Sequence, residues 1–211
     1  MSGRLVIVRH GESEWNARGV WTGTTDVHLS KKGIHEAELM GQCLKDIKFD
    51  SAYVSEQVRS KETLGGIAQN NGQGEIPYKV TASFNERDYG DYTGKNKWEV
   101  QKIIGEEAFS QLRRGWDYPV PHGETLKDVY ERCIPFYTRV VVPKVLSGQT
   151  ILVVGHGNSI RSLVKYIENI SDQAIAKLEM IFGTALIYEL DEKGRMKTKA
   201  ERHIQTIPPP A

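Results

Sequence analysis

Two histidines stand at matching places in this chain. His10 follows the apolar run "LVIV" (5–8) and Arg9, and His156 follows "ILVV" (151–154) and Gly155; each is succeeded by a glycine, Gly11 and Gly157. An imidazole near neutral pH can act as base, nucleophile or metal ligand. Arg9 adds a fixed charge with bidentate geometry. Glycine lacks Cβ, so a ligand can approach the backbone closely at both places. Asn158 and Ser159 then open a helix whose free N–H groups and positive dipole end suit an anion. A single histidine past a strand is ordinarily a structural hydrogen-bonding residue; two in one setting, one beside arginine, point to an anion site. Metal binding is the competing reading, because "HGE" (10–12) is an H-x-E. The P-C-x-x-C partner of zinc deaminases is absent, as is any H-E-x-x-H, so no metal is expected. His28, His35 and His203 read as surface residues, and His122 in "PHGET" stays a further candidate.

The elements that carry these residues follow from hydrophobic pattern. "RLVIV" and "TILVVG" are short, continuous and β-branched, as strands buried on both faces of a parallel sheet are. Neighbouring parallel strands would bring both imidazoles to one rim, where open sheets bind ligands beyond their carboxyl ends. Further strands are predicted at 50–55, 184–190 and, less regularly patterned, 78–83. Helical spacing covers 29–47, with Ser30 as N-cap, and 57–70. One or two short helices are expected over 95–115, a run interrupted at Pro135 over 124–146, and two more over 160–170 and 171–180. Polar, glycine-punctuated stretches at 85–94 and 117–125 read as loops. The alternation predicts an α/β fold: a mostly parallel open sheet flanked by helices on both faces. No linker or internal repeat divides the chain, so residues 1–211 are expected to form one domain. Its basic, then proline-rich tail should be loosely packed from about residue 201.

Composition narrows the class. In 211 residues, 28 Lys and Arg balance 27 Asp and Glu, which argues against a general nucleic-acid binder and requires any anion site to come from local clustering. The two cysteines, Cys43 and Cys133, have no CxxC spacing and suggest a reduced protein without a disulfide framework. No apolar run approaches membrane-spanning length. A cytoplasmic protein without membrane or nucleic-acid partners is expected.

"RHGESEWN" followed far downstream by "GHGNS" resembles the histidine phosphatase superfamily. "TGTTDVHLSKKG" (22–33), "NERDYGDYTGKNK" (85–97), "RRGWDYPVP" (113–121) and "ISDQAIAKLEM" (170–180) look like the cofactor-dependent phosphoglycerate mutases within it, in family order and over nearly the whole chain. The resemblance implies a phosphoglycerate mutase-like fold and interconversion of 3- and 2-phosphoglycerate in glycolysis and gluconeogenesis. The enzyme would be primed by 2,3-bisphosphoglycerate, would use no metal, and would have minor phosphatase and bisphosphoglycerate synthase side activities. It implies that His10 becomes phosphohistidine, that Arg9, Arg59 and His156 contact the transferring phosphoryl, and that Glu86 is general acid and base. Ser13, Asn16, Thr22, Gly23, Arg87, Tyr89, Lys97, Arg113, Arg114, Gly157 and Asn158 would hold the substrate. The primer carries about −4 to −5 charges, which a near-neutral protein can bind only through such a cluster.

The chain departs from larger family members at "PVPHGET", which joins loop and helix directly where they carry a long insertion. The short form implies a monomer, with a dimer still open, and a less covered rim. The rival readings are a phosphatase that passes the phosphoryl group to water and a silent anion-binding module on the same fold.

Overall fold

A computed structural model describes residues 3–204. In chain order the elements begin with β1 (Arg4–Arg9), α1 (Glu14–Ala17), α2 (Lys31–Cys43), β2 (Ser51–Val54), α3 (Val58–Asn70) and β3 (Tyr78–Val80). Then come α4 (Lys97–Ile104), α5 (Glu106–Arg114), α6 (Leu126–Phe136) and α7 (Val142–Leu146), followed by β4 (Ile151–Gly155), α8 (Gly157–Ile167), β5 (Thr184–Leu190) and β6 (Met196–His203). The sheet runs β3-β2-β4-β1-β5-β6. The first four of these strands are parallel; β5 is antiparallel to β1, and β6 to β5. The expected mostly parallel sheet is therefore present, closed on one side by an antiparallel hairpin.

Period-two alternation splits the core. Leu5 and Ile7 of β1 face a cluster with Val129, Cys133, Leu163 and Val164, from α6 and α8. Val6 and Val8 face Met40, Leu44, Leu64 and Ile67, from α2 and α3. Both sheet faces are thus covered by helices, which is why the strands read as unbroken apolar runs. A third, separate cluster joins Trp21, Tyr89, Val100, Phe109, Leu112 and Val120. It holds α4, α5 and the intervening loops as a cap over the carboxyl ends of the strands.

Two expectations need correction. The helix expected over 171–180 is only a short 3₁₀ turn, Ala174–Lys177, and the chain beyond it is extended. The basic stretch 196–203 is a strand: Glu201, Arg202 and His203 pair with Leu186, Ala185 and Thr184. β6 is an edge strand with charged residues turned to solvent, so its sequence lacks the apolar run that marks the inner strands. The part of the expected loose tail beyond 204 lies outside the described residues. The run over 124–146 is interrupted as expected: a π-helical turn, Tyr137–Val141, follows Pro135, which has no N–H to continue the helical ladder.

Candidate active site

β1 and β4 are neighbours, with Arg9 in register with Gly155, so the residues that follow them emerge together. The rings of His10 and His156 lie 4.7 Å apart between centroids. His10 is 2 % exposed and His156 fully buried. His10 Nδ1 lies 2.6 Å from the Gly11 carbonyl oxygen. A carbonyl only accepts, so Nδ1 carries the proton and the Nε2 lone pair is free. Burial, then the charges of Arg59 and Arg9, hold the His10 pKa well below the usual imidazole range, which keeps the ring neutral and nucleophilic.

The two glycines have different reasons. A Cβ at Gly11 would lie 2.3 Å from the Gly33 carbonyl oxygen, and one at Gly33 would lie 2.0 Å from that of Glu12. Gly11 therefore serves close packing of the β1 loop on α2, not ligand approach. Gly157 does border open space, where a Cβ would only graze Glu86 and Arg9. The helix end beyond it already holds an anion of the protein's own. Glu86 Oε1 accepts from the backbone N–H of Arg87 (2.8 Å), and from the backbone N–H and side-chain amide of Asn158 (both 3.1 Å). Oε2 has no N–H partner among the described residues. The loop that carries Glu86 is fixed by Arg132, which donates to the carbonyls of Ser83, Asn85 and Glu86 and forms a bidentate pair with Glu124.

Arg59, 1 % exposed, donates to the carbonyls of Thr25 and Gly23, and burial lowers its pKa to about 10. Arg9 donates to the Met180 carbonyl and stacks 3.7 Å from the Phe182 ring centroid. Together these groups floor a cleft of about 340 Å³. Asn16, Thr22, Gly23, Tyr89, Lys97, Arg113, Arg114, Gly157 and Asn158 line it. Three others stand apart from its walls. Ser13 is spent as the N-cap of α1 in a reciprocal capping box with Asn16. Arg87 is fully buried, donates to Leu112 O and packs on the Tyr89 ring. His156 sits behind His10. His122 lies outside the cleft, paired with Asp91 on the surface.

Several cleft residues escaped sequence reasoning. Arg161 lies one helical turn after Asn158, a spacing that could have flagged it. It donates to Asn158 Oδ1 and to the carbonyls of Arg114 and Ile175. Trp21 and the segment Leu178–Phe182 also line the cleft, without a spacing of that kind to mark them. Lys97 lies 5.5 Å from the Trp21 ring centroid; burial, then Arg113 and Arg9, lowers its pKa to about 8.

A family model described as "Histidine phosphatase superfamily (branch 1)" matches residues 5–202. This chain belongs to the histidine phosphatase superfamily. A relative from Afipia carboxidovorans, named 2,3-bisphosphoglycerate-dependent phosphoglycerate mutase, is 42% identical over 204 residues, covering 95% of this chain and 99% of its own. One of the same name from Parvibaculum lavamentivorans is 40% identical over 201 residues, covering 94% and 96%. Among solved structures, Bacillus stearothermophilus YhfR superposes with a TM-score of 0.81 at 25% identity, covering 92% of this chain and 94% of its own. A mycobacterial glucosyl-3-phosphoglycerate phosphatase superposes with a TM-score of 0.78 at 21% identity, covering 89% and 93%; this second likeness is one of fold alone. No described helix is long and apolar enough to cross a membrane.

Proposed function

We propose that this chain is a 2,3-bisphosphoglycerate-dependent phosphoglycerate mutase of the short form, acting in cytoplasmic glycolysis and gluconeogenesis. The observation that carries the reading is one cleft lined by both buried and partly exposed cations. Arg9, His10 and Arg59 form its floor; Lys97, Arg113 and Arg114 form its rim. Hydrolysis of a simple phosphate ester needs only the floor. Holding a second anionic group while the substrate turns over needs the rim as well. Relatives that bear the mutase name align with this chain almost end to end, which supports the same assignment and the short connection at 119–125.

The residues fit the primer. Arg9 Nε, Arg59 Nε and Thr22 Oγ1 are buried without a hydrogen-bond partner among the described residues, so donors are left over for a multiply charged ester. When bound, 2,3-bisphosphoglycerate supplies the phosphoryl group that primes the enzyme. His10 Nε2 is the nucleophile. Arg9, Arg59 and His156 stabilise charge on the transferring phosphoryl oxygens. Glu86 exchanges a proton with the substrate hydroxyl through Oε2, its other oxygen being fixed by N–H donors. Lys97, Arg113 and Arg114 hold the far anionic end, and Asn16, Thr22, Gly23, Tyr89, Gly157 and Asn158 complete the walls. Ser13 and Arg87 act one step back, through Asn16 and Tyr89. The cations perform the charge stabilisation, and no metal takes part. The working unit is one copy of residues 1–211.

The test is conversion of 3-phosphoglycerate with and without catalytic 2,3-bisphosphoglycerate, with free phosphate measured in parallel. Primer-dependent conversion faster than phosphate release is expected, and exhaustive chelation should leave it intact. Phosphate release alone would make the protein a phosphatase. Sedimentation equilibrium should give the mass of one chain.

A further inference from the structure

Ser55, the residue after β2, and Ser60, in the first turn of α3, are both fully buried and have no place in the machinery described so far. They join His156 to the backbone through three close polar pairs. Ser60 Oγ lies 2.8 Å from the Gln57 carbonyl oxygen, Ser55 Oγ lies 2.8 Å from Ser60 Oγ, and His156 Nε2 lies 2.7 Å from Ser55 Oγ. Each such contact between heteroatoms needs one proton. Two hydroxyls bring only two. The Gln57 carbonyl can only accept, so the Ser60 hydroxyl proton goes to it. The Ser55 proton then fills the Ser55–Ser60 pair. The third proton must sit on His156 Nε2. The backbone N–H of Gln57 also donates to Ser55 Oγ, at 3.2 Å, which uses the remaining lone pair of that oxygen and turns its proton away from the ring.

We propose that Ser55 and Ser60 are positioning residues that fix His156 as its Nε2–H tautomer, leaving a lone pair on Nδ1, so that the ring takes up a proton before it can donate one from Nδ1 to a phosphoryl oxygen. The proposal rests on the reading of His156 as a phosphoryl contact. Nδ1 is buried and has no partner among the described residues, in a ring 4.7 Å from that of His10. Burial first, then the charge of Arg59 from α3, the His10 ring, and the charges of Arg9 from β1 and Arg132 from α6 keep His156 neutral at rest. The carboxylate of Glu86, from the loop after β3, is already engaged by Asn158 of the turn that follows His156. A phosphate dianion would offset the surrounding positive charge and raise the affinity of Nδ1 for a proton. The proton comes from solvent or from the ligand's own monoanion, and it ends in an N–H···O bond to a phosphoryl oxygen. The two imidazoles then have opposite polarities. His10 has its proton fixed on Nδ1 and its lone pair at Nε2; His156 has its proton fixed on Nε2.

Ring ¹⁵N shifts of histidine-labelled protein decide this, with the His156 signals assigned by their loss in His156→Asn. In the ligand-free protein at pH 7, Nε2 should carry the proton and Nδ1 should have the shift of an unprotonated nitrogen. Ser60→Ala touches no atom of His156, yet it frees the Ser55 hydroxyl to donate to Nε2, and a substantial fraction of the ring should move to the Nδ1–H tautomer. A wild-type ring protonated on Nδ1, or a tautomer unchanged in Ser60→Ala, would overturn the proposal. Because the wild-type spectrum decides without any variant, a misfolded mutant does not rescue it. The readout needs no turnover, so it stands or falls separately from the mutase assignment.

Discussion

The floor and the rim of the cleft are built in different ways. The floor stands on the carboxyl ends of β1 and β4, two neighbouring strands whose inner residues are at most 1 % exposed. Its cations are spent largely on fixed carbonyls, as Arg59 is on Gly23 and Thr25. The rim stands on α4 and α5, held by a small cluster of its own around Trp21 and Phe109. Its cations are partly exposed, and among the described residues Arg114 is paired only with Glu179 of the adjoining segment. A floor locked into the sheet suits chemistry that needs its groups preorganised. A rim packed on a satellite cluster can differ among proteins without disturbing the sheet. Divided this way, the molecule should lose chemistry when the floor is cut and recognition when the rim is cut.

The largest expected effect lies on the floor. His10→Ala should lower turnover by about 10³-fold or more and abolish the acid-labile label left by isotopically labelled 2,3-bisphosphoglycerate, because the nucleophile itself is gone. Full activity in that variant, or label mapped by mass spectrometry to His156 alone, would reverse the assignment. His156→Asn should cost about 10²–10³ in kcat with little change in KM, the loss typical of one charge stabiliser in a water-excluded site. A loss of the same size confined to KM would place His156 in ground-state binding.

The rim should respond differently. Arg113→Ala combined with Arg114→Ala removes charge-assisted contacts worth on the order of 1.5–3 kcal/mol, so kcat/KM for 3-phosphoglycerate should fall roughly tenfold to a hundredfold. Hydrolysis of p-nitrophenyl phosphate, which reaches only the floor, should change far less. The ratio of the two rates guards against a damaged preparation, which would lower both. Equal losses with the fold intact would mean that floor and rim are one unit.

The same division governs what could be read from sequence. Arg59, on α3, rested on family resemblance alone, whereas Arg9, His10 and His156 were legible because a buried parallel strand must be apolar to its end and they break the pattern where the strand stops. The sheet was legible for the same reason, except at its edge. β6 has one unpaired side and solvent-facing lysines, and its sequence looks like a tail. Gly11 was rightly singled out but for the wrong reason, since its tight neighbour, Gly33, is 22 positions away and only the fold brings them together. The rim had weaker signals. Arg113 and Arg114, taken singly, are an ordinary solvated helix end, and only family resemblance promoted them. Leu178–Phe182 borders the cleft partly through a backbone contact, Arg9 to Met180 O, which depends on no particular side chain at 180.

The smallest expected effect belongs to Lys97, which links the two regions. It starts α4 on the rim, yet it is lowered to about 8 chiefly by burial, with Arg113 and the floor residue Arg9 adding repulsion. The sign follows from the charged form: below about pH 8 the ammonium is present and binds an anionic group, and above it the group is neutral. With wild-type protein, kcat/KM for 3-phosphoglycerate should therefore decline as pH rises through about 8, to roughly a tenth at one unit higher if the contact is lost entirely. kcat at saturating substrate should hold to higher pH, because a bound anion raises the affinity of Lys97 for its proton. Lys97→Arg keeps a cation across the range, so its decline should move to higher pH; Lys97→Met should show the low plateau throughout. If Lys97→Arg retains the wild-type profile, the limb belongs to another group. A decline of equal size in p-nitrophenyl phosphate hydrolysis would show that Lys97 serves the floor, and the boundary between the two regions would have to be drawn beyond it.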